Sequence, residues 1–226
     1  MKILIMAIVA VKVAFTAATP SIDEVKAKFD EASVEWHTIG TASWDTFPWV
    51  PFAEFRIMHS ETEIYLQFHV RKEGARAVYG FDAGSKPYTD DCTEFFMIPS
   101  DTDPSYFNLE LNCIGHGTFN WGPDRKDRHH GSDDLISQIR RESTLGSEPF
   151  GQRNGEQEWT LTIAIPKKLY KMADPDLADF SGRTVKANFY KCGDDTPRPH
   201  YISWNRIGTP KPQFHAPEYF GDVKFE

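Results

Sequence analysis

The sequence predicts an all-β fold: a two-sheet antiparallel β-sandwich, jelly-roll or immunoglobulin-like, with one or two short helices. Period-two alternation is the first observation behind this. Ile64, Leu66, Phe68 and Val70 alternate with Tyr65, Gln67 and His69, and Trp159, Leu161, Ile163 and Ile165 alternate with Thr160, Thr162 and Ala164. Such alternation marks strands with one face turned to a core. Many short segments of this kind are separated by Gly, Pro and Asp turns, with few helical stretches between them, which favours two packed antiparallel sheets. Size is the third observation. The 226 residues are 14% aromatic and include 17 phenylalanines, enough for one thick core, and sandwiches of this length fold as one domain. Residues 1–226 read as a single domain without repeats, low-complexity tracts or linkers.

The elements follow in order. Met1-Lys2 and the apolar run after it have the form of a secretory signal, with Thr16-Ala17-Ala18 as a cleavage site. Lys12 interrupts that run, however, and Val9 to Phe15 reads as a first β-strand, which is the preferred reading of residues 1–18. A retained segment implies a cytoplasmic protein; a cleaved one implies a secreted or periplasmic protein. Ser21 and Glu24 form a capping-box pattern that opens a helix running to about Ala32, with Val25 and Phe29 on its inner face. Phe107, Leu109, Leu111 and Cys113 alternate with Asn108, Glu110 and Asn112, giving a strand whose second face is wholly polar. Pro166 suits a first helical position and predicts a second short helix to about Met172. Trp121 to Asp134 is a charged, glycine-punctuated loop of unusual length.

Charge narrows the partners. A net charge of −8 argues against nucleic acid and anionic membranes, and no segment besides the N-terminal run is long and apolar enough to span a bilayer. Cys92, Cys113 and Cys192 are an odd number without CxxC spacing, which argues against a disulfide framework or a zinc site and for buried free thiols.

Three segments carry the functional signal: Tyr88 to Phe96 (YTDDCTEFF), His200 to Trp204 (HYISW) and Phe214 to Gly221 (FHAPEYFG). Each sets an aromatic ring beside carboxylates, amides or histidine. Sugar rings present apolar C–H faces that stack on aromatics and hydroxyls that need fixed hydrogen-bonding partners, so these segments point to a saccharide slot. Taken with Phe52 to Val70, Arg76 to Asp82, Tyr106 to Gly117 and Glu158 to Pro166, their order resembles carbohydrate-binding module family 9-like domains, within the DOMON-like sandwich superfamily. The resemblance covers nearly the whole chain from Trp44 onward. It implies a terminal sugar held between two rings, one six residues before the glutamate of a D-[SC]-x-E-x-F motif and the other just before a P-x-x-F-G close. On this sequence those positions are Tyr88, Glu94 and Phe214, where members best known for sugar binding carry tryptophan at both ring positions.

Further candidates surround these three. Asn108, Glu110 and Asn112 would line a polar floor, although a solvated sheet face gives the same alternation. Lys211, Gln213 and His215 flank Phe214 and would reach sugar hydroxyls. Asp90 and Asp91 are turn-formers or, as in some relatives of the family, oxygen ligands for calcium, the one cofactor considered. Trp204 is assigned to the core. Arg125, Arg128, His129 and His130 form a basic cluster in an acidic protein, either solvated or turned toward an acidic sugar or a partner. The function expected is non-catalytic carbohydrate binding, with no catalytic residues and, as a protein partner, a polysaccharide-degrading enzyme. The alternatives are a glycoside hydrolase built on two of the carboxylates, a haem-binding domain using Met58, Met97 or Met172 with His59, His69 or His116, and a protein-interaction domain.

Overall fold

A computed structural model describes residues 7–226. Fourteen strands occur among these residues. They are β1 (Ile8–Lys12), β2 (His37–Thr38), β3 (Thr41–Ala42), β4 (Phe52–His59), β5 (Glu63–Ala77), β6 (Cys92–Ile98) and β7 (Tyr106–Asn112). After these come β8 (Gly117–Gly122), β9 (His129–His130), β10 (Arg140–Ser143), β11 (Phe150–Pro166), β12 (Thr184–Cys192), β13 (Tyr201–Ser203) and β14 (Gly221–Phe225). One sheet runs β10-β11-β5-β4 and the other β14-β12-β6-β7-β8-β9, with β13 continuing beside β12 past the end of β14. The strand β1 joins them. Ile8 to Ala10 pair in parallel with Val223 to Phe225 of β14, and Val11 and Lys12 then pair with Met58 and His59 of β4. The expected first strand is therefore present at Ile8–Lys12; the part of the leader reading that falls on residues 1–6 lies outside the described residues.

Side-chain alternation decides what each face does. Phe55 and Phe68 project from one sheet and Phe95 and Phe189 from the other, into the main core between the sheets. Phe55 and Phe189 stack with centroids 3.5 Å apart, and Phe95 stacks on Phe189 at 4.9 Å. Trp159, Leu161, Ile163 and Ile165 extend the same core from β11, as their alternation predicts. On the outer face of the β4–β5 sheet lies helix α1 (Ile22–Glu31). Ser21 caps it, Glu24 returns the bond, and Val25 and Phe29 pack on Met58, Tyr65 and Ala164. The sequence reading of this helix holds in full.

The outer face of the other sheet carries most of the candidate residues singled out from the sequence. Cys92, Glu94 and Phe96 of β6, Tyr106, Asn108, Glu110 and Asn112 of β7, and Tyr190 and Cys192 of β12 all point to it. Apolar side chains from the chain after β13 cover part of this face: Ile207, Phe214, Ala216 and Phe220 pack on Phe96, Tyr106 and Tyr190 in a second apolar cluster that also takes Trp44. Gly221 of the P-x-x-F-G close has a physical reason, since a Cβ there would meet the Trp204 ring at 2.5 Å. Trp204 itself packs edge-on to Phe55 and Phe189, in the core role assigned to it.

Two elements differ from expectation. The segment after Pro166 forms a 3-10 turn, Lys167–Met172, and Pro166 is the last residue of β11. Much of the long Trp121–Asp134 stretch is ordered: Trp121 and Asn120 pair with β9, and a short helix, α2 (Asp133–Ile136), follows with Ser132 as its cap. Both details depend on contacts with the sheet and lack a local signal. Met58 and Met97 are fully buried in two different apolar clusters, where they serve packing, and Met172 is exposed. No helix is long and apolar enough to cross a membrane among the described residues.

Phe189 touches rings from both sheets. Phe189→Ala is expected to destabilise the fold by about 3–5 kcal/mol, read as a lower urea midpoint; a loss below 1 kcal/mol would show that the sheets are held together elsewhere.

Candidate functional site

A cavity of about 520 Å³ opens on the outer face of the β6–β7–β12 sheet. Its lining includes Tyr88, Glu94, Glu110, Gln213, Phe214 and His215, six of the nine slot residues singled out from sequence, brought from four separate stretches of chain. Tyr88 sits on a 3-10 turn, Pro87–Thr89, and is 39% exposed. Its backbone carbonyl accepts from Asp194 N–H at 2.9 Å, which fixes the turn against the end of β12. Phe214 stacks on Tyr190 at 4.2 Å with the planes 10° apart and is only 9% exposed. It is therefore half a core residue: one face is spent on Tyr190, and the remainder forms the cavity wall. Tyr201, edge-on to Phe214 at 6.2 Å, is a third lining ring. The HYISW segment contains it, but the sequence reading weighed only Trp204 there, as a core residue.

The floor is a pair of carboxylates. Glu94 and Glu110 lie directly opposite each other on β6 and β7, and burial pushes both carboxyls above the usual range. They differ in their neighbours. Glu110 accepts from Asn108 Nδ2 at 2.6 Å, and the nearby Arg128 and Arg125 offset part of its burial. Glu94 faces two thiols: Cys192 Sγ is 3.1 Å and Cys92 Sγ 3.9 Å from its Oε1. Burial raises the Cys92 thiol to about 12 and the Cys192 thiol well above its usual range, so neither thiol offers Glu94 a charged partner. Two like carboxyls in one dry site do not both ionise readily, and burial without a charged partner raises Glu94 further than Glu110.

Above Glu110 sits His215. Its Nδ1 lies 2.9 Å from the Tyr106 hydroxyl and 3.2 Å from Arg128 Nη1. An arginine only donates, so Nδ1 is an acceptor and the ring proton is on Nε2, which points toward Glu110 Oε1 at 3.9 Å. Burial and the two arginines hold His215 down to about 3. Arg128 lies over the Tyr106 ring, and its Nε and Nη2 groups have no acceptor among the described residues. Part of the basic cluster thus belongs to the cavity: Arg125, Arg128 and His130 line it.

The remaining candidates are placed elsewhere. Asn108 is fully buried and positions Glu110. Asn112 donates to the Tyr79 carbonyl and to Asp90, so it braces the fold. Lys211 is exposed and outside the cavity lining. Asp90 and Asp91 do not fit calcium. Asp90 is fully buried and accepts from Arg76, from Val78 and Tyr79 N–H and from Asn112; Asp91 is fully buried between Lys72 at 2.8 Å and Lys191 at 3.0 Å. Their oxygens already hold cations, supplied by the protein. A larger cavity, about 720 Å³, lies across the molecule beside Lys167–Met172. Phe180 is its single aromatic ring among the described lining residues, and four of its charged groups are paired with one another as Arg140–Glu63 and Lys167–Asp179. The carboxylate-and-ring cavity is the better binding site on chemistry, despite its smaller volume.

Comparison with known proteins places this architecture. The family model for carbohydrate-binding family 9 matches residues 23–225. The structure is similar to the crystal structure of a Bacteroides uniformis protein assigned a carbohydrate-binding role, at 35% identity and a TM-score of 0.91 over 97% of this chain and 99% of that one. It also resembles a family 9 carbohydrate-binding module of Caldicellulosiruptor kristjanssonii in two complexes. The complex with glucose gives 14% identity and a TM-score of 0.57 over 98% and 96% of the two chains; the complex with cellotriose gives 16% and 0.56 over 98% and 94%. None of the curated proteins matches. The chain belongs to carbohydrate-binding family 9, and its class is that of a non-catalytic carbohydrate-binding module.

The titration of His215 gives a pH signature. Its folded value is depressed from 6.5, so the unfolded chain binds more protons below that pH, and stability is complete above 6.5 and falls as pH drops toward 3. His215→Gln is expected to flatten the slope of melting temperature against pH across that window; an unchanged slope would assign the acid sensitivity to other groups.

Proposed function

We propose that the cavity on the β6–β7–β12 face binds a saccharide, as a chain end or short oligosaccharide, between Tyr88 on one side and Phe214 with Tyr201 on the other. The convergence of three rings on two buried carboxyls carries this reading. Rings supply surfaces for the apolar faces of the sugar, while Glu94, Glu110 and His215 offer acceptors and donors at fixed positions for its hydroxyls. Arg128 adds N–H groups that lack an acceptor within the protein, and an oxygen-rich ligand is a natural source of one. The structures similar in fold hold glucose and cellotriose, which supports a ligand of this class. A polysaccharide-degrading enzyme remains the partner such a module would serve.

Tyr88 and Phe214 are not equivalent in this arrangement. Tyr88 is exposed, so Tyr88→Ala is expected to weaken saccharide binding by roughly tenfold, or ~1.4 kcal/mol, with the melting temperature unchanged. Phe214→Ala removes a ring stacked on Tyr190 and is expected to lower both affinity and melting temperature. Calorimetry against neutral mono- and oligosaccharides measures the first effect. A ligand bound equally well by wild type and Tyr88→Ala would remove Tyr88 from the site.

A further inference from the structure

We propose that Cys92, Cys192 and Glu94 form a site for a soft or borderline divalent cation, Zn²⁺ above all, in the floor of the same face. The two cysteines are a hundred residues apart in sequence, and β6–β12 pairing sets them directly opposite each other. Glu94, two residues along β6, is on the same face. One ligand atom from each of the three lies within 4.8 Å of the others, and this is the single such cluster of three or more His, Cys, Asp or Glu among the described residues.

The distances suit a tetrahedral ion. With a Zn–S bond of about 2.3 Å and a Zn–O bond of about 2.0 Å, tetrahedral ligation separates sulfur from oxygen by about 3.5 Å. The two sulfur–oxygen distances, 3.1 and 3.9 Å, bracket that value, so ligation needs shifts of only a few tenths of an ångström. Competing contacts are weak. Apart from Glu94, Cys92 Sγ reaches only the Thr93 carbonyl at 3.7 Å and Cys192 Sγ only the Tyr88 carbonyl at 3.8 Å.

The donor set also answers a question that the fold leaves open. Glu94 is 3% exposed and has no cationic side chain paired to it among the described residues; Lys72 and Lys191, the nearby ammonium groups, are both taken by Asp91. A buried carboxylate without a counter-ion is costly. A dication that displaces the thiol protons supplies that counter-ion in place. Two thiolates favour zinc over calcium or magnesium, which take oxygen donors. Three protein ligands leave a fourth position, and since Glu94 and Cys192 both line the cavity, that position faces it and takes water. The site differs from the calcium expectation at Asp90 and Asp91 in both residues and chemistry, and it does not depend on the saccharide reading.

The test is a titration of the full chain, reduced and stripped with a chelator, with Co²⁺ as a coloured stand-in followed by Zn²⁺. The expected result is a thiolate-to-cobalt charge-transfer band that saturates at about one metal per chain and is bleached by Zn²⁺. Cys92→Ser and Cys192→Ser should each abolish the band, while Cys113→Ser, at an equally buried cysteine outside the cluster, should retain it. No band in the wild type overturns the proposal. So does a band that survives in Cys92→Ser and Cys192→Ser, or one lost in Cys113→Ser alone. Calorimetry of the metal-free wild type with saccharide, run alongside, reports on the sugar slot separately.

Discussion

Everything on the functional face hangs from two adjacent buried aspartates. Asp90 and Asp91 sit at the entry to β6, both without exposure. Asp90 gathers the Arg76 guanidinium, two backbone N–H groups of the strand end at Val78 and Tyr79, and Asn112 from the end of β7. Asp91 takes Arg76 N–H, Lys72 from β5 and Lys191 from β12. One carboxylate pair therefore ties the long strand of one sheet to three strands of the other. Buried charges are tolerable only when paired, and removal of one partner from such a set costs about 3–5 kcal/mol. The arrangement fixes more than the fold. Tyr88 lies two residues before Asp90, and Cys92 and Glu94 follow within three residues of Asp91, so the position of this turn decides where rim and floor stand relative to each other. The same charges set the state of His200, whose Nε2 is 2.8 Å from Lys191 Nζ. Burial and that ammonium hold His200 well below its ordinary value, so the ring is neutral and accepts the lysine proton.

A second constraint is the asymmetry of the two floor carboxyls. They are directly opposed on neighbouring strands, and without other differences would compete for one proton. Asn108 and the arginines of the β8–β9 region lean on Glu110, while Glu94 meets only thiols. The floor is thereby asymmetric: one carboxyl lies under His215 and Arg128, and the other, on the cysteine side, has no charged partner among the described residues. The order of these residues along β6 and β7 produces this asymmetry, because alternation puts Cys92, Glu94 and Phe96 on one face and Phe95 and Met97 on the other.

How much of this was legible in the sequence follows from how local each signal is. Alternation in β5, β7 and β11 and the capping box at Ser21 are local, and each gave the right element. The polar face of β7 was legible as a face, but not which of its members line the cavity. Asn108 and Asn112 turn sideways to Glu110 and Asp90, a choice made by cross-strand neighbours rather than by their own spacing. Asp90 and Asp91 illustrate the same limit: two acids in a turn suggest an external cation until Lys72, Lys191 and Arg76, distant in sequence, are seen to arrive there. The cysteine pair was the least visible feature. Motif spacing detects ligands on one turn or hairpin, whereas Cys92 and Cys192 are joined only by the register of β6 on β12. Arg128 was noted as part of a basic run, yet nothing in the run distinguishes the member that folds over Tyr106 from its solvated neighbours.

In the proposed slot the two walls divide the work between rigidity and adaptation. Phe214 is clamped between Tyr190 beneath it and Trp44 at 6.2 Å, and its carbonyl accepts from the Tyr190 hydroxyl at 3.2 Å. Its rotamer is settled before any ligand arrives, so binding costs it little side-chain entropy. Tyr88 is exposed and held chiefly through its backbone, so its ring is the one free to adjust. A smaller ring that is already ordered recovers by preorganisation part of what a larger, mobile platform gains by area. For the two ring positions that the family resemblance assigns to Tyr88 and Phe214, the proposed slot therefore combines a smaller stacking surface with one wall built into the apolar cluster under it and one exposed wall with room to adjust.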